Sequence, residues 1–126
     1  MKTTFKYTGI RVKDLDASIA FYTKVLGMKV RGRNTIDATK GTVADLVSEE
    51  GGFVLELNHY AKGSPYATNY AAGEGLDHLA FQVENLDKAV VEAKKAGHPV
   101  VLDMKTGTSR WAYIEDPNGI WIELFA

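Results

Sequence analysis

The sequence predicts an α+β fold in which one domain, residues 1–126, contains two βαβββ modules. Residues 12–16 (VKDLD) recur as residues 83–87 (VENLD), which indicates an internal repeat. Each copy follows an alternating apolar segment and precedes a helical pattern that stops at a glycine, Gly27 or Gly97. Each half therefore begins with a strand and a helix, and three further strand patterns complete it.

The elements of the two halves correspond in order. The expected strand, helix and three strands of the first half are residues 5–12, 17–26, 29–31, 43–48 and 53–58, and those of the second half are 78–83, 88–96, 99–102, 111–115 and 120–125. Asp14 or Asp16 is expected to cap the first helix, and Asn85 or Asp87 the second.

Three segments connect these elements. Residues 32–41 and 61–76 lack a regular pattern and are expected to be loops. The second loop joins module one, about residues 1–60, to module two, about residues 77–126. Residues 116–119 read Asp-Pro-Asn-Gly, which predicts a tight turn because Pro fixes φ and Asn-Gly readily takes positive φ.

Composition excludes several function classes. The 15 basic and 16 acidic residues are interspersed and give a net charge of -1, so neither nucleic acid nor a membrane surface is an expected partner. Cysteine is absent, so any metal ion must be held by nitrogen and oxygen ligands. We find no signal-peptide core or membrane-spanning run, and therefore expect a cytoplasmic location.

Strand alternation places chemically active side chains on one face of each half. The residues expected on the face away from the helices are Tyr7, Gly9 and Arg11 in the first half and His78, Ala80 and Gln82 in the second. Tyr7 and His78 are equivalent in the repeat. Glu56 and Glu123 also occupy equivalent places, each between two apolar residues of the last strand of its half.

A carboxylate in the middle of an apolar strand is costly to bury unless it is paired or bound to a cation. Glu56 and Glu123, together with His78, therefore predict a divalent metal site with open positions for substrate or water. Ni²⁺, Zn²⁺, Co²⁺, Mn²⁺ and Fe²⁺ all suit such ligands. The alternative interpretation is that both glutamates face solvent and that His78 is a hydrogen-bonded core residue.

At these residues the chain resembles the glyoxalase I branch of the vicinal-oxygen-chelate superfamily, whose fold is also called glyoxalase/bleomycin-resistance/dioxygenase-like. The resemblance covers nearly the whole length and is clearest at residues 10–28 (IRVKDLDASIAFYTKVLGM) and 115–124 (EDPNGIWIEL). It implies paired βαβββ modules with Glu56, His78 and Glu123 as metal ligands. It also implies that Arg11 holds a glutathione carboxylate; the alternative is a surface ion pair.

Three positions depart from the family pattern. Tyr7 stands where similar lactoylglutathione lyases carry histidine, so it is expected to ligate the metal as a phenolate, to hydrogen-bond a bound water, or to line the cleft. Tyr60 stands in place of an asparagine, and Glu74 in place of an arginine found in some members, which leaves the use of glutathione open. His59 and His98 are expected to be surface or loop residues.

The resemblance implies a metal-dependent lyase or isomerase that acts through an enediolate on a small oxygen-chelating substrate, such as a 2-oxoaldehyde–thiol adduct. Glu123 or Glu56 would carry the proton. The alternatives are a non-catalytic, drug-sequestering binding protein of the same fold, an epimerase or a ring-cleaving dioxygenase. The aromatic residues expected to line the cleft are Tyr7, Tyr60, Tyr66, Trp111, Tyr113 and Trp121. We also expect a homodimer.

Overall fold

The computed structural model describes residues 2, 6–49, 51–71, 73–74 and 76–126. The chain divides into a first unit, Met1–Asn69, and a second unit, Tyr70–Ala126. Each unit contains one four-stranded sheet with both parallel and antiparallel neighbours. The predicted α+β fold of paired βαβββ modules is confirmed.

The two units have the same order of strands. The first unit contains β1 (Thr8–Arg11), α1 (Leu15–Ala20), a π-helical turn (Phe21–Val25), β2 (Lys29–Ile36), a 3-10 turn (Asp37–Thr39), β3 (Gly41–Val47) and β4 (Val54–Tyr60). The second unit contains β5 (His78–Gln82), α2 (Leu86–Lys95), β6 (Leu102–Thr106), β7 (Ser109–Glu115) and β8 (Trp121–Phe125). The order within the sheets is β1-β4-β3-β2 and β5-β8-β7-β6.

The first and last strands of each unit are parallel neighbours. Gly9 of β1 lies opposite Glu56 of β4, and Ala80 of β5 lies opposite Glu123 of β8. The repeat found in the sequence is therefore also a repeat in strand register.

The core of each unit lies on the face of the sheet that carries the helix. The largest fully buried hydrophobic side chains are Tyr22, Leu46 and Leu57 in the first unit and Ile114 and Ile122 in the second. The alternate residues of the same strands project from the opposite face. That face carries the predicted site residues.

Both helices begin two residues earlier than expected, at Leu15 and Leu86. The Asp14 carboxylate accepts a hydrogen bond from the backbone N–H three residues later at 2.9 Å, and the Asn85 side chain does the same at 2.9 Å. These two residues are therefore the caps, whereas Asp16 and Asp87 pair with arginines. None of the helices in the described ranges is long and apolar enough to cross a membrane.

The sequence predicted a regular α-helix as far as residue 26, but the observed α-helix ends at Ala20. It becomes a π-helical turn at Phe21, closed by a hydrogen bond from Leu26 N–H to the Phe21 carbonyl at 3.4 Å. A π turn takes more residues per turn than an α turn. Phe21 and Tyr22, three and four residues after the buried Ser18, are both buried.

Two strand boundaries were wrong, and both lie in edge strands. β2 continues to Ile36 and pairs with β3, so most of residues 32–41 is strand rather than loop. β6 spans Leu102–Thr106 instead of 99–102. Because an edge strand has one neighbour and packs little, its sequence lacks the apolar alternation on which the prediction relied.

The other expected boundaries need smaller corrections. β1 begins at Thr8 rather than at residue 5, which lies outside the described residues. Phe53 precedes β4 and is 74% exposed, so it does not continue the buried alternation of that strand. The described part of residues 61–76 contains no helix or strand, as predicted.

The predicted turn before β8 is confirmed. The buried Asp116 carboxylate accepts hydrogen bonds from the backbone N–H groups of Asn118 at 2.7 Å and Ile120 at 2.8 Å. Gly119 takes a φ of 81°, a conformation that glycine adopts without strain. This turn fixes where β8 begins, and hence the position of Glu123 in the sheet.

Asp14→Ala is expected to lower the free energy of unfolding by about 1 kcal/mol, because the first helix loses its N-cap. Asp16→Ala removes an exposed carboxylate of the same helix without removing a cap, and should cost less than about 0.5 kcal/mol. Urea unfolding followed by circular dichroism measures both values. Equal losses in the two variants would contradict the assignment of Asp14 as the cap.

Candidate metal centre

The second unit brings His78 and Glu123 together. The two residues lie on neighbouring parallel strands, and Glu123 is opposite Ala80, two residues beyond His78. Both side chains therefore leave the same face of the sheet. His78 Nε2 is 3.2 Å from Glu123 Oε2, and the two side chains are 35% and 21% exposed.

This separation fits two ligands of one divalent ion. Bonds of about 2.0–2.2 Å at tetrahedral or octahedral angles place neighbouring ligand atoms about 2.8–3.6 Å apart. The donor types, imidazole nitrogen and carboxylate oxygen, suit the same first-row ions. In the part of the chain that the structure describes, however, no group of three or more His, Asp or Glu side chains is placed to hold an ion.

Asp77 orients the imidazole of His78. Its Oδ1 atom is 2.6 Å from His78 Nδ1, so we assign the proton of the neutral ring to Nδ1. The lone pair of Nε2 then points at the Glu123 carboxylate, an arrangement that requires a proton or a cation between the two atoms. In metal-binding histidines, the ring nitrogen that does not bind the metal commonly donates a hydrogen bond to a carboxylate in the same way.

Tyr113 of β7 completes the cluster. It lies opposite Glu123 in the antiparallel pairing, and its hydroxyl donates a hydrogen bond to Glu123 Oε2 at 2.9 Å. Its partial burial raises the pKa of the phenol, and the hydrogen bond to Glu123 and the charge of that carboxylate raise the pKa further. The hydroxyl is therefore a protonated donor at neutral pH.

Aromatic side chains surround this cluster. The Tyr113 ring meets the His78 ring edge-on, with centroids 5.7 Å apart, and lies 5.3 Å from the Trp121 ring. Trp111 and Trp121 project from the same face, because each is two residues from Tyr113 or Glu123 in its strand. Three of the aromatic residues predicted to line the cleft thus share a face with His78.

A second cluster of predicted residues lies in the first unit. The Arg11 guanidinium carbon is 5.0 Å from the centroid of the Tyr60 ring, within cation–π range. Arg11 also donates a hydrogen bond to Thr68 Oγ1 at 2.9 Å. The Tyr60 and Tyr66 rings are 5.6 Å apart. Arg11 is therefore held against an aromatic wall.

Glu56 and Tyr7 are also in the first unit. Glu56 leaves the face opposite the buried Leu55 and Leu57. A Cβ at Gly9 would lie 3.2 Å from Asn58 Nδ2, which is a tight contact, and 3.6 Å from Glu56 Oε1, which is an ordinary one. Tyr7 precedes β1 and is 53% exposed. The common site of Glu56 with His78 and Glu123 stays a prediction.

The remaining candidates do not join either cluster. His59 lies in β4 rather than in a loop, and its Nδ1 is 3.4 Å from the Val12 carbonyl oxygen. His98 is half-buried, with Nδ1 3.0 Å from the Glu115 carbonyl oxygen. Asp77 was missed by the sequence analysis, although its place directly before His78 was a usable signal.

Comparisons with known proteins agree with the fold and the repeat. Residues 4–124 match the family model of the Glyoxalase/Bleomycin resistance protein/Dioxygenase superfamily. The chain is 37% identical over 123 residues to the probable lactoylglutathione lyase of Vibrio cholerae, covering 94% of this chain and 86% of that protein. It is 34% identical over 122 residues to the lactoylglutathione lyase of Neisseria meningitidis, covering 93% and 86%.

Solved structures give the same result. The trypanothione-dependent glyoxalase I of Leishmania major superposes with a TM-score of 0.79 at 36% sequence identity, covering 98% of this chain and 86% of that chain. The resemblance to the glyoxalase I branch that the sequence indicated is confirmed.

Asp77→Ala is expected to change the tautomer of His78 in metal-free protein. In the parent, the neutral ring should carry its proton on Nδ1, because Asp77 accepts from that atom. The variant should shift towards the Nε2–H form, whereas Asp77→Asn keeps an acceptor oxygen and should retain the Nδ1–H form. Long-range ¹H–¹⁵N correlation spectra distinguish the tautomers. An Nε2–H form in all three proteins would disprove the assignment.

Proposed function

Because the chain belongs to the glyoxalase/bleomycin resistance protein/dioxygenase superfamily, we propose that it is a lactoylglutathione lyase-type enzyme that acts on the adduct of a 2-oxoaldehyde and a thiol. Relatives named lactoylglutathione lyase at 37% and 34% identity support the reaction class. The structural observation that carries the proposal is the 3.2 Å approach of His78 Nε2 to Glu123 Oε2.

The proposal includes a divalent ion, Ni²⁺, Zn²⁺, Co²⁺, Mn²⁺ or Fe²⁺, with His78 and Glu123 as ligands. When bound, such an ion polarises adjacent substrate oxygens and offsets the negative charge that develops on them. Glu56 is the further ligand that the sequence repeat supports. Tyr7, the repeat equivalent of His78, is proposed at the fourth position or beside it. A homodimer and a cytoplasmic location accompany this proposal.

The chain's own groups must also move a proton. In the proposed reaction the proton leaves one substrate carbon and returns to its neighbour through an enediolate, so a carboxylate has to accept and release it. Glu123 and Glu56 are the two candidates. Glu123 Oε2 already faces His78 and accepts the Tyr113 hydroxyl hydrogen bond, which favours a ligand role for Glu123 and leaves Glu56 as the stronger candidate for the base.

The aromatic and basic clusters have proposed roles in binding. Trp111, Tyr113 and Trp121 offer apolar surface beside the ligand pair for the organic group of the aldehyde. Arg11 and Tyr60 are proposed to bind the thiol carrier, since a guanidinium held over an aromatic ring can still pair with a carboxylate. Glu74 accepts a hydrogen bond from the Ala71 backbone N–H at 2.8 Å. Its side chain is acidic, whereas some members of the family carry an arginine at this position.

Metal affinity tests the ligand set. Protein stripped with a chelator and titrated with each of the five ions in a calorimeter should bind at least one of them and then melt at a higher temperature. His78→Ala and Glu123→Gln should each weaken binding more than about 100-fold, because losing a ligand exceeds the 10–100-fold cost of losing an outer-shell partner. A similar loss in Glu56→Gln identifies a third ligand.

Glu92→Gln is the matched control, because it removes an exposed glutamate of α2; its affinity should equal that of the parent. If the parent binds none of the five ions, the metal-dependent mechanism is ruled out.

Turnover tests the reaction class. Metal-loaded protein given methylglyoxal with glutathione or with trypanothione should form the 2-hydroxyacyl thioester with at least one thiol. Glu56→Gln should lower kcat by about 10²–10⁴-fold if Glu56 is the base. Arg11→Ala should raise KM more than it lowers kcat. Tight binding of the adducts without any thioester product would instead support a non-catalytic binding protein.

A further inference from the structure

We propose that Tyr113 is a positioning residue that holds Glu123 as a one-oxygen metal ligand. The inference rests on the proposed function, because it concerns the same ligand pair. It assigns to the Tyr113 hydroxyl a role beyond lining the cleft.

The Tyr113 hydroxyl and the His78 imidazole meet at the same carboxylate oxygen. Tyr113 donates its hydrogen bond to Glu123 Oε2 at 2.9 Å, and His78 Nε2 lies 3.2 Å from that atom. A carboxylate oxygen has two lone pairs. One of them is used by the hydroxyl, which leaves the other for a cation shared with His78.

The phenol is well placed to fix this geometry because its ring is held by two neighbours. The ring lies 5.7 Å from His78, edge-on, and 5.3 Å from Trp121. The hydroxyl oxygen cannot move far without breaking these contacts. Glu123 ends in a terminal torsion that is broad in the absence of such a restraint, so the hydrogen bond selects one orientation of the carboxylate.

The first unit supports a specific role for this hydroxyl. There the residue opposite Glu56 is Asp45, which has no proton to donate when ionised and lies 3.4 Å from Arg31. Glu123, which lies beside His78, therefore has a phenol as its cross-strand partner. The equivalent carboxylate of the first unit, Glu56, lies opposite another acid. The hydroxyl is thus present only in the unit that contains the His78–Glu123 pair, and it is not repeated at the matched position of the other sheet.

Tyr113→Phe tests the inference, since it keeps the ring and removes only the hydroxyl. Zn²⁺ affinity should fall about 10–100-fold, as for other outer-shell partners of metal ligands. In Co²⁺-loaded protein the visible absorption should change in position and weaken, because the released carboxylate can turn and bind through both oxygens, raising the coordination number. Glu92→Gln, which removes an exposed glutamate of α2 outside both clusters, should match the parent in metal affinity.

A double-mutant cycle separates positioning from a general structural effect. In the Glu123→Gln background, Tyr113→Phe should cause little further loss of Zn²⁺ affinity, because the group through which it acts is gone. An undiminished loss in that background would overturn the inference, as would equal affinity and cobalt spectrum in the parent and Tyr113→Phe proteins. A parent protein that binds no metal would overturn the proposed metal mechanism and this inference with it.

Discussion

Parallel pairing of the first and last strands of each unit is the constraint on which the rest of the structure depends. In the second unit this pairing sets β5 beside β8 with Ala80 opposite Glu123, and the two-residue period of a strand then puts His78 on the same face. A shift of one residue would turn Glu123 into the core. The buried Asp116 turn prevents that shift, because its carboxylate binds the backbone at the start of β8.

Once the register is fixed, the side chains on this face place one histidine next to two acidic residues. His78 lies between two carboxylates, 2.6 Å from Asp77 and 3.2 Å from Glu123. A neutral imidazole has a single proton and can donate to one of these carboxylates, whereas an imidazolium can donate to both. The Tyr113 hydroxyl supplies Glu123 with a hydrogen-bond donor in either case. The proposed divalent ion would take the place of a proton between Nε2 and Oε2.

Much of this arrangement was predictable from sequence, and the failures have a common cause. The repeat, the alternation and the turn at residues 116–119 predicted both sheets and the face shared by His78 and Glu123, because buried strands must alternate. β2 and β6 were misplaced because edge strands are largely exposed and need not alternate. The hydrogen bonds from Asp77 and Tyr113 required strand register and side-chain orientation, which a single sequence does not provide.

The repeat also explains why the two units differ. Equal register gives each unit the same set of positions, yet the first unit has Tyr7, Asp45 and Val54 where the second has His78, Tyr113 and Trp121. Glu123 therefore accepts a hydrogen bond from its cross-strand phenol, whereas the residue opposite Glu56 is another acid. The first unit instead places Arg11 over Tyr60, which suits an anionic carrier. Matched positions on one repeated scaffold thus carry the His78–Glu123 pair in the second unit and the Arg11–Tyr60 contact in the first.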